Sequence, residues 1–333
     1  MLPNNVTVRL GLLLVCSVVI AAAAAPVLSP HAVDQRFGAL LNAPPTRPHV
    51  RDDSGAWRAP FIYRWRLVNQ LEQRYEEDRS TSVPLVWFTD GSLVRSSDET
   101  AAPLFLLGAD SFGRDVFSRL LFGARMSVGL AAFAALGALL LGVALGAAAG
   151  YIGGSVDDGL MRVTDFVMVL PAMYVALALR AVLPLVLTPA VVFWLLTAIF
   201  AIVGAPFIAR GVRAIVRSER QREYAAAARA IGASDVRVLV RHLLPATRGF
   251  LAVELTMLVP AFIVAEATLS YVGLGFPDPV ASWGTMLHDA ANVSVFADFP
   301  WLLSPAAAMF VLVLGLNLAT QGGANRVSYE RPM

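Results

Sequence analysis

The sequence predicts an all-α membrane protein with six transmembrane helices and an extracytoplasmic insert between the first and the second. Two observations lead to this prediction. Hydrophobic side chains make up 57% of the 333 residues and charged ones only 15%, with a mean hydropathy of +0.65. A bilayer core requires about 20 mainly apolar residues per helix, and six stretches of that kind occur in the chain. This composition is too apolar for an ordinary soluble domain.

The six apolar stretches define the predicted spans. They lie near residues 9–28, 126–150, 163–186, 189–209, 249–273 and 301–320. The first has an alternative interpretation as a cleaved signal peptide, because LGLLLVCSVVI is followed by small residues before Pro26. Only Arg9 supplies a basic flank, and the stretch is long enough to cross a bilayer. Retention of residues 1–28 as a first transmembrane helix is therefore favoured.

Arginine is distributed unevenly between the loops, which predicts the orientation of the chain. The region 210–248 is rich in arginine, whereas 275–300 contains none and carries three aspartates. We therefore expect 210–248, both termini and the tail 321–333 to be cytoplasmic. Residues 29–105 then form an extracytoplasmic insert, within which LVNQLEQRYEEDRS is helix-prone. Three arginines just before the second span run against the rule: Arg114, Arg119 and Arg125.

The chain lacks the motifs of several enzyme classes. There is no GxxxxGK[ST] phosphate loop, no HExxH, no CxxC pair and no GxSxG elbow. The four histidines show no metal-ligand spacing, the single cysteine lies in an apolar run, and no lysine is present. There is also no polybasic tail for nucleic acid. We expect no enzymatic activity, no cofactor and no metal site in this chain, which leaves transport across the membrane or anchoring to it.

Several residues within the spans suggest packing or function. Gly142, Gly146 and Gly150 recur every four residues, so they share one helix face and predict close packing against another helix. Pro171 and Pro260 predict kinks. Ionisable side chains inside spans require a partner or an aqueous path, and four are candidates: Asp165, Arg180, Glu254 and Glu266. For Glu266 we expect a structural hydrogen bond, with contact to a translocation path as the second interpretation.

The polar stretch between the fourth and fifth spans has the pattern of two short helices. Residues 217–231 are mainly strong helix formers, and Gly232 stands where a left-handed residue commonly ends a helix. Ser234 is a plausible N-cap of a second helix, which Pro245 closes. One apolar face is expected on that helix, formed by Val236, Leu239, Val240 and Leu243. The small residues 225–228 would allow another protein to approach closely.

This stretch resembles the EAA loop of binding-protein-dependent ABC importer permeases. Aligned on Gly232, the pattern places its alanines on Ala227 and Ala228 and its closing Leu-Pro on Leu244 and Pro245. Two positions depart from it, since Ala226 stands in place of glutamate and His242 in place of isoleucine. The form EYAAAARAIGAS is similar to that of the dipeptide, oligopeptide and nickel subfamily, in which an acidic residue stands earlier, as Glu223 does here.

Three further stretches resemble the same subfamily: LGADSFGRDVFSRLLFGARMSVGL, YIGGSVDDGLMRVTDFVMVLP and AEATLSYVGLGFPDPVASWGTML. Ala109 replaces a threonine of the family pattern, and Asp278 and Ala281 replace prolines. The resemblance covers roughly residues 106–320, and within the subfamily the chain is similar to the second permease of peptide transporters. It implies the type I importer permease fold, with residues 106–320 as the permease core.

The resemblance implies partners and roles. A related permease, two ATPase subunits that hold ATP and Mg, and an extracytoplasmic substrate-binding protein would complete an importer in a bacterial inner membrane. The residues implied to couple this chain to an ATPase are Glu223, Ala227, Ala228, Gly232, Leu244 and Pro245. Glu266 is the candidate for the path. The cargo is not readable from the sequence, and two alternatives remain: an ATP-independent channel or ion-coupled carrier, and a membrane scaffold.

Overall fold

A computed structural model describes residues 4–52, 55–89, 91–170, 174, 175, 178, 187–291 and 298–329. Among these residues, five helical segments are long and apolar enough to cross a membrane: Val6–Ala23, Val116–Ile152, Pro189–Glu219, Asp235–Tyr271 and Pro300–Thr320. They confirm the helical membrane fold and correspond to five of the six predicted spans. The third predicted span, 163–186, lies largely outside the described residues, together with Pro171 and Arg180.

The helices follow the chain in this order. Before the sheet lie α1 (Asn4–Ala23) and α2 (Ala25–Leu28). After it come α3 (Val116–Ile152), α4 (Gly154–Val169), α5 (Pro189–Glu219), α6 (Glu223–Ala230) and α7 (Asp235–Val238). The chain ends with α8 (Arg248–Tyr271), α9 (Trp283–Asp289) and α10 (Ser304–Tyr329).

The chain forms two compact units. The first comprises 1–8, 128–269 and 316–333, and the second comprises 9–127 and 270–315.

In the first unit, α3 and α5 approach each other closely along the predicted glycine face. A side chain at Gly142 would meet Ile208 and the Ala205 carbonyl oxygen, and one at Gly146 would collide with the Ala209 carbonyl oxygen. At Gly150 the added atom would lie 2.7 Å from the Arg213 carbonyl oxygen. The prediction of tight helix packing is confirmed, because only glycine leaves room for the facing backbone.

The second unit contains an antiparallel sheet in the order β1-β2-β3-β4. Its strands are β1 (His49–Arg51), β2 (Trp57–Asn69), β3 (Arg74–Thr89) and β4 (Ser92–Ser96). Ile62, Val83 and Leu85 of the sheet pack with Ala102 and Leu104 in a buried core.

The helix-prone assignment of LVNQLEQRYEEDRS is wrong, because this stretch forms the β2–β3 hairpin. Leu67 pairs with Tyr75, and Asn69 pairs with Arg74. The Asn69 side chain accepts hydrogen bonds from the backbone N–H groups of Leu71 and Glu72. This local turn chemistry, together with the core beneath the strands, outweighs the helix propensity of the charged residues.

A buried ion-pair network explains two of the three arginines that run against the orientation rule. Arg114 is fully buried, and its guanidinium contacts Asp110, Asp278 and Asp289 at 2.6, 2.7 and 2.6 Å. The Arg119 side chain is 2% exposed and lies 3.6 Å from Asp110 and 3.7 Å from Asp289. Both arginines are structural groups paired inside the second unit and are not free loop charges.

The same unit joins the beginning of α3 to the beginning of α9. Trp283 is almost completely buried, its backbone N–H donates to the Ser127 hydroxyl at 3.1 Å, and its indole N–H donates to the Leu120 carbonyl at 3.1 Å. Ser282 and Thr285 form a capping box at the start of α9. Two of the stretches that carry the family resemblance therefore meet in one packed site.

The α3–α5 contact yields a testable prediction. We expect Gly146→Val to lower the free energy of unfolding by about 1–3 kcal/mol, because the new side chain must displace the α5 backbone. Gly129→Val is the matched control, since it makes the same change in the same helix where nothing lies within 4 Å. Thermal unfolding of both variants in detergent tests this. Equal stability of the two would contradict the packing described here.

Candidate functional site

The 210–248 segment begins in the last turns of α5 and returns to the membrane through a series of short helices. The prediction of one helix across 217–231 is wrong, because α5 ends at Glu219 and α6 begins at Glu223. The guanidinium of Arg229 donates to the carbonyl oxygens of Arg220 at 3.0 Å and Ala225 at 3.2 Å. It thereby satisfies an acceptor that the break in the helix leaves open.

Gly232 ends α6 in the predicted way. Its φ of +87° is left-handed. The Gly232 N–H donates to the Arg229 carbonyl at 3.0 Å, and the Ala233 N–H donates to the Ala228 carbonyl at 3.1 Å. These two bonds form a Schellman motif, which defines the direction in which the chain leaves the helix. Nothing lies within 4 Å of the position of an added side chain, so the requirement for glycine is conformational.

The second short helix is irregular. Ser234 occupies the predicted N-cap position of α7, although its side chain makes no capping bond. A π-helical turn (Leu239–Leu243) and a 3₁₀ turn (Leu244–Thr247) then lead directly into α8. Pro245 therefore does not close the helical run, because it lies in the second of these turns and the chain continues into the span.

The apolar side chains that are buried in this segment differ from those predicted. Val238 and Leu243 are fully buried, whereas Val236 and Val240 are 71% and 57% exposed. The predicted apolar face that included Val236 and Val240 is therefore wrong. A π turn has more residues per turn than an α-helix, so the 3.6-residue phase used for the prediction does not hold from Leu239 to Leu243. Val236 lies before this turn, in α7.

Two contacts attach the segment to the rest of the first unit. The Tyr151 hydroxyl, at the end of α3, donates to the Asp235 carboxylate, at the start of α7. Near the other end, Phe250 of α8 packs onto Gly211 of α5 so closely that a side chain at Gly211 would collide with the ring. The segment is thus held both to α3 and across α5 and α8.

A buried carboxylate holds α5 to α4. Asp157 accepts two hydrogen bonds from the Arg213 guanidinium, one of them at 2.6 Å, and lies 3.7 Å from Arg217. The hydrogen bonds from Arg213 lower the pKa of Asp157 below its ordinary value. A second pair joins Arg210 to Asp165, which is exposed. The sequence carried little signal for either pair, because the partners lie far apart in the chain.

The residues implied to contact an ATPase differ in exposure. Glu223 and Ala227 are exposed, and Leu244 and Pro245 are partly buried. Ala228 is buried within this chain, as is Ala225. The two alanines are therefore packing residues of α6, and the close approach expected for residues 225–228 is open only at 226 and 227. Three apolar side chains point outward beside them, with Ile231 at 87% exposure, together with Val236 and Val240.

Two ionisable residues of α8 differ in burial. Glu254 is partly buried. Glu266 is fully buried.

The sequence of the chain is similar to those of known proteins. The family model described as "Binding-protein-dependent transport system inner membrane component" matches residues 138–328, more than half of the 333-residue chain. The oligopeptide transport system permease protein OppC of Bacillus subtilis is 36% identical over 216 residues, covering 65% of this chain and 68% of that protein.

Two other relatives have similar identity. The glutathione transport system permease protein GsiD of Pectobacterium atrosepticum is 37% identical over 216 residues, which is 65% of this chain and 69% of that protein. A putative peptide transport system permease protein of Brucella suis is 36% identical over 241 residues, 71% and 78% of the two chains. Among solved structures, the inward-facing MetNI methionine ABC transporter aligns with a TM-score of 0.46 and 17% identity, over 64% of this chain and 96% of that one.

The Asp157–Arg213 pair gives a prediction that depends on pH. We expect Asp157→Asn to lower the free energy of unfolding by about 1–2 kcal/mol near neutral pH. This is less than for a fully buried ion pair, because 31% of the Arg213 side chain is exposed to solvent. Folding lowers the pKa of Asp157. The stabilisation that the Asp157–Arg213 pair gives the folded state is therefore complete above the ordinary aspartate pKa of about 3.9, and it is lost as pH falls through the lower pKa of the folded state.

Unfolding of the purified variant and the wild type between pH 7 and pH 3 measures this difference. Asp158→Asn is the control, because the neighbouring Asp158 is exposed. A difference that grows as the solution is acidified would overturn the assignment.

Proposed function

The chain belongs to the family of binding-protein-dependent transport system inner membrane components, and we propose that its 210–248 segment couples an ATPase to the transmembrane helices of an importer. As a member, it is a multi-pass inner-membrane permease subunit, and ATP hydrolysis resides in separate subunits. The channel, carrier and scaffold alternatives have no observation in their favour. We further propose peptides or similar small solutes as cargo, because the relatives include permeases named for peptide transport.

The observation that carries the proposal is the contrast between the two faces of the segment. On one face, Val238 and Leu243 are buried and Asp235 is held by Tyr151. On the other, Ile231 and Val240 are 87% and 57% exposed. Large exposed apolar side chains on a braced element are a common feature of protein interaction sites. The proposed partner surface consists of these two residues, Glu223 and Ala227.

The proposed partner surface is connected to the transmembrane helices without a flexible loop. The chain passes from α7 through the π and 3₁₀ turns into α8 without an intervening loop. The Phe250–Gly211 contact links the beginning of α8 to α5. Proline lies inside both helices, at Pro206 and Pro260, and removes a backbone hydrogen bond in each. Displacement of the segment would therefore tilt both spans.

The proposed assembly contains further subunits and defines an orientation. A second related permease would complete the path, two ATPase subunits would hold ATP and Mg, and an extracytoplasmic binding protein would deliver the cargo. The 210–248 segment and both termini would face the cytoplasm, and residues 29–105 would face outward. Pairing of Arg114 and Arg119 inside the chain supports this orientation, since neither acts as a free positive charge.

Glu266 remains the proposed ionisable group of the path. It is fully buried on α8, so contact with cargo would require the surrounding helices to separate. Because a buried carboxylate is costly without polar partners, its environment would change between the two access states of the transporter.

The coupling role is tested at Gly232. We expect Gly232→Val to abolish ATP-dependent uptake and to reduce recovery of the ATPase with this chain, while membrane insertion is retained. The cost of a left-handed valine is about 1–2 kcal/mol, which is enough to redirect the chain after α6. Uptake into cells or vesicles, with copurification in mild detergent, measures both effects.

Gly249→Val provides the matched control, because Gly249 is helical and nothing lies within 4 Å of an added side chain. Uptake by Gly232→Val at the rate of this control would count against the coupling role. Recovery of the wild-type chain without any ATPase would count against the assembly itself.

A further inference from the structure

Two cavities in the first unit lie side by side at the end of α3. The arginine cavity has a volume of about 650 Å³, and its lining includes Ile152, Gly153, Asp157, Arg217, Arg220 and Arg229. The apolar groove has a volume of about 470 Å³, and its lining includes Val143, Ala144, Ala148, Tyr151, Val236 and Leu239. Ile152 lines both of them.

The arginine cavity has an excess of positive charge. Three guanidinium groups line it against one carboxylate, Asp157, which is already occupied by two hydrogen bonds from Arg213. Arg217 lies 3.7 Å from that carboxylate. Among the described residues, no carboxylate lies within ion-pair distance of Arg220, whose guanidinium stacks on the Tyr151 ring at 5.2 Å. The cavity therefore suits an anion.

The arginine cavity and the apolar groove adjoin each other at Tyr151 and Arg220. Tyr151 lines the apolar groove with its ring, and Arg220, which stacks on that ring, lines the arginine cavity. Along α3 the groove extends from Val143 to Ile152, a rise of about 13 Å. This length is close to the roughly 15 Å thickness of one leaflet of the hydrocarbon core.

We propose that these cavities form a binding site for an anionic phospholipid. The phosphate would lie among Arg217, Arg220 and Arg229, and an acyl chain would occupy the groove. Charge complementarity and the adjoining apolar groove favour this occupant over a soluble phosphate, which would leave the groove empty. Basic pockets between membrane helices are suited to anionic headgroups.

The proposed lipid would also join α3 to the 210–248 segment. One wall of the groove is α3, and the opposite wall includes Asp235, Val236 and Leu239. An acyl chain between them would bury apolar surface on both walls. Lipid composition would then affect how firmly the segment is braced, independently of the cargo.

The test is lipid binding to the full-length chain, purified in mild detergent and measured by native mass spectrometry. The probes are phosphatidylglycerol, phosphatidylcholine with the same acyl chains, and glycerol phosphate without chains. We expect phosphatidylglycerol to bind about tenfold more tightly than phosphatidylcholine, and glycerol phosphate to bind far more weakly than either.

Two variants separate the parts of the site. Arg217→Gln with Arg220→Gln should reduce phosphatidylglycerol binding to the phosphatidylcholine level, whereas Arg241→Gln, an exposed arginine outside both cavities, should not. Ala144→Trp should fill the groove and weaken both lipids, with Ala132→Trp as the control at an exposed position of the same helix.

Equal affinity of the wild-type chain for phosphatidylglycerol and phosphatidylcholine would by itself overturn the proposal. Glycerol phosphate binding as tightly as phosphatidylglycerol would show a soluble-anion site and would also overturn it. Retention of the preference for phosphatidylglycerol in the double arginine variant, or of lipid affinity in Ala144→Trp, would show that these residues do not form the binding site and would overturn the proposal.

Discussion

The close contact between α3 and α5 is the constraint on which the candidate site depends. Gly146 and Gly150 allow the α5 backbone to approach within van der Waals distance. This contact places Tyr151, at the end of α3, where it can hold Asp235. The neighbouring helix α4 then supplies Asp157 to Arg213 of α5. A wider helix separation would move the supports of the 210–248 segment apart, so the position of the segment follows from glycines 142, 146 and 150, which are far from it in sequence.

Features with a local physical cause could be predicted from the sequence. The four-residue glycine spacing identified the packed face of α3, and Gly232 was recognised as the end of α6 because its left-handed conformation is set by neighbouring backbone groups. Length and hydropathy identified five spans among the described residues. Features that depend on distant contacts were missed. The β2–β3 hairpin is stabilised by a core shared with residues 102 and 104, and the break after Glu219 is stabilised by Arg229.

The structure shows the environment of two residues that depart from the family pattern, Asp278 and Ala226. Asp278, which stands where the family resemblance favours proline, accepts a hydrogen bond from Arg114 at 2.7 Å. No local pattern could have paired residues so far apart in the chain. Within the 210–248 segment, Ala226 replaces the acidic residue of the pattern and is exposed, while Glu223 is exposed three positions earlier. Polar contact with a partner would therefore shift toward the beginning of α6, and Val240 of the π turn is exposed on the proposed partner surface.

If the 210–248 segment couples an ATPase to the spans, it must move together with the helices that support it, as one rigid body. The most direct test is the distance between spin labels at Asp158 and Arg241, both exposed and outside the proposed partner surface, in a Cys16→Ser background that removes the single cysteine. Pulsed electron paramagnetic resonance on the assembled transporter would measure it with and without ATP. We expect one narrow distance distribution that ATP leaves unchanged. A broad distribution, or a second distance that appears with ATP, would show that the segment moves independently of its supports and would contradict the coupling role.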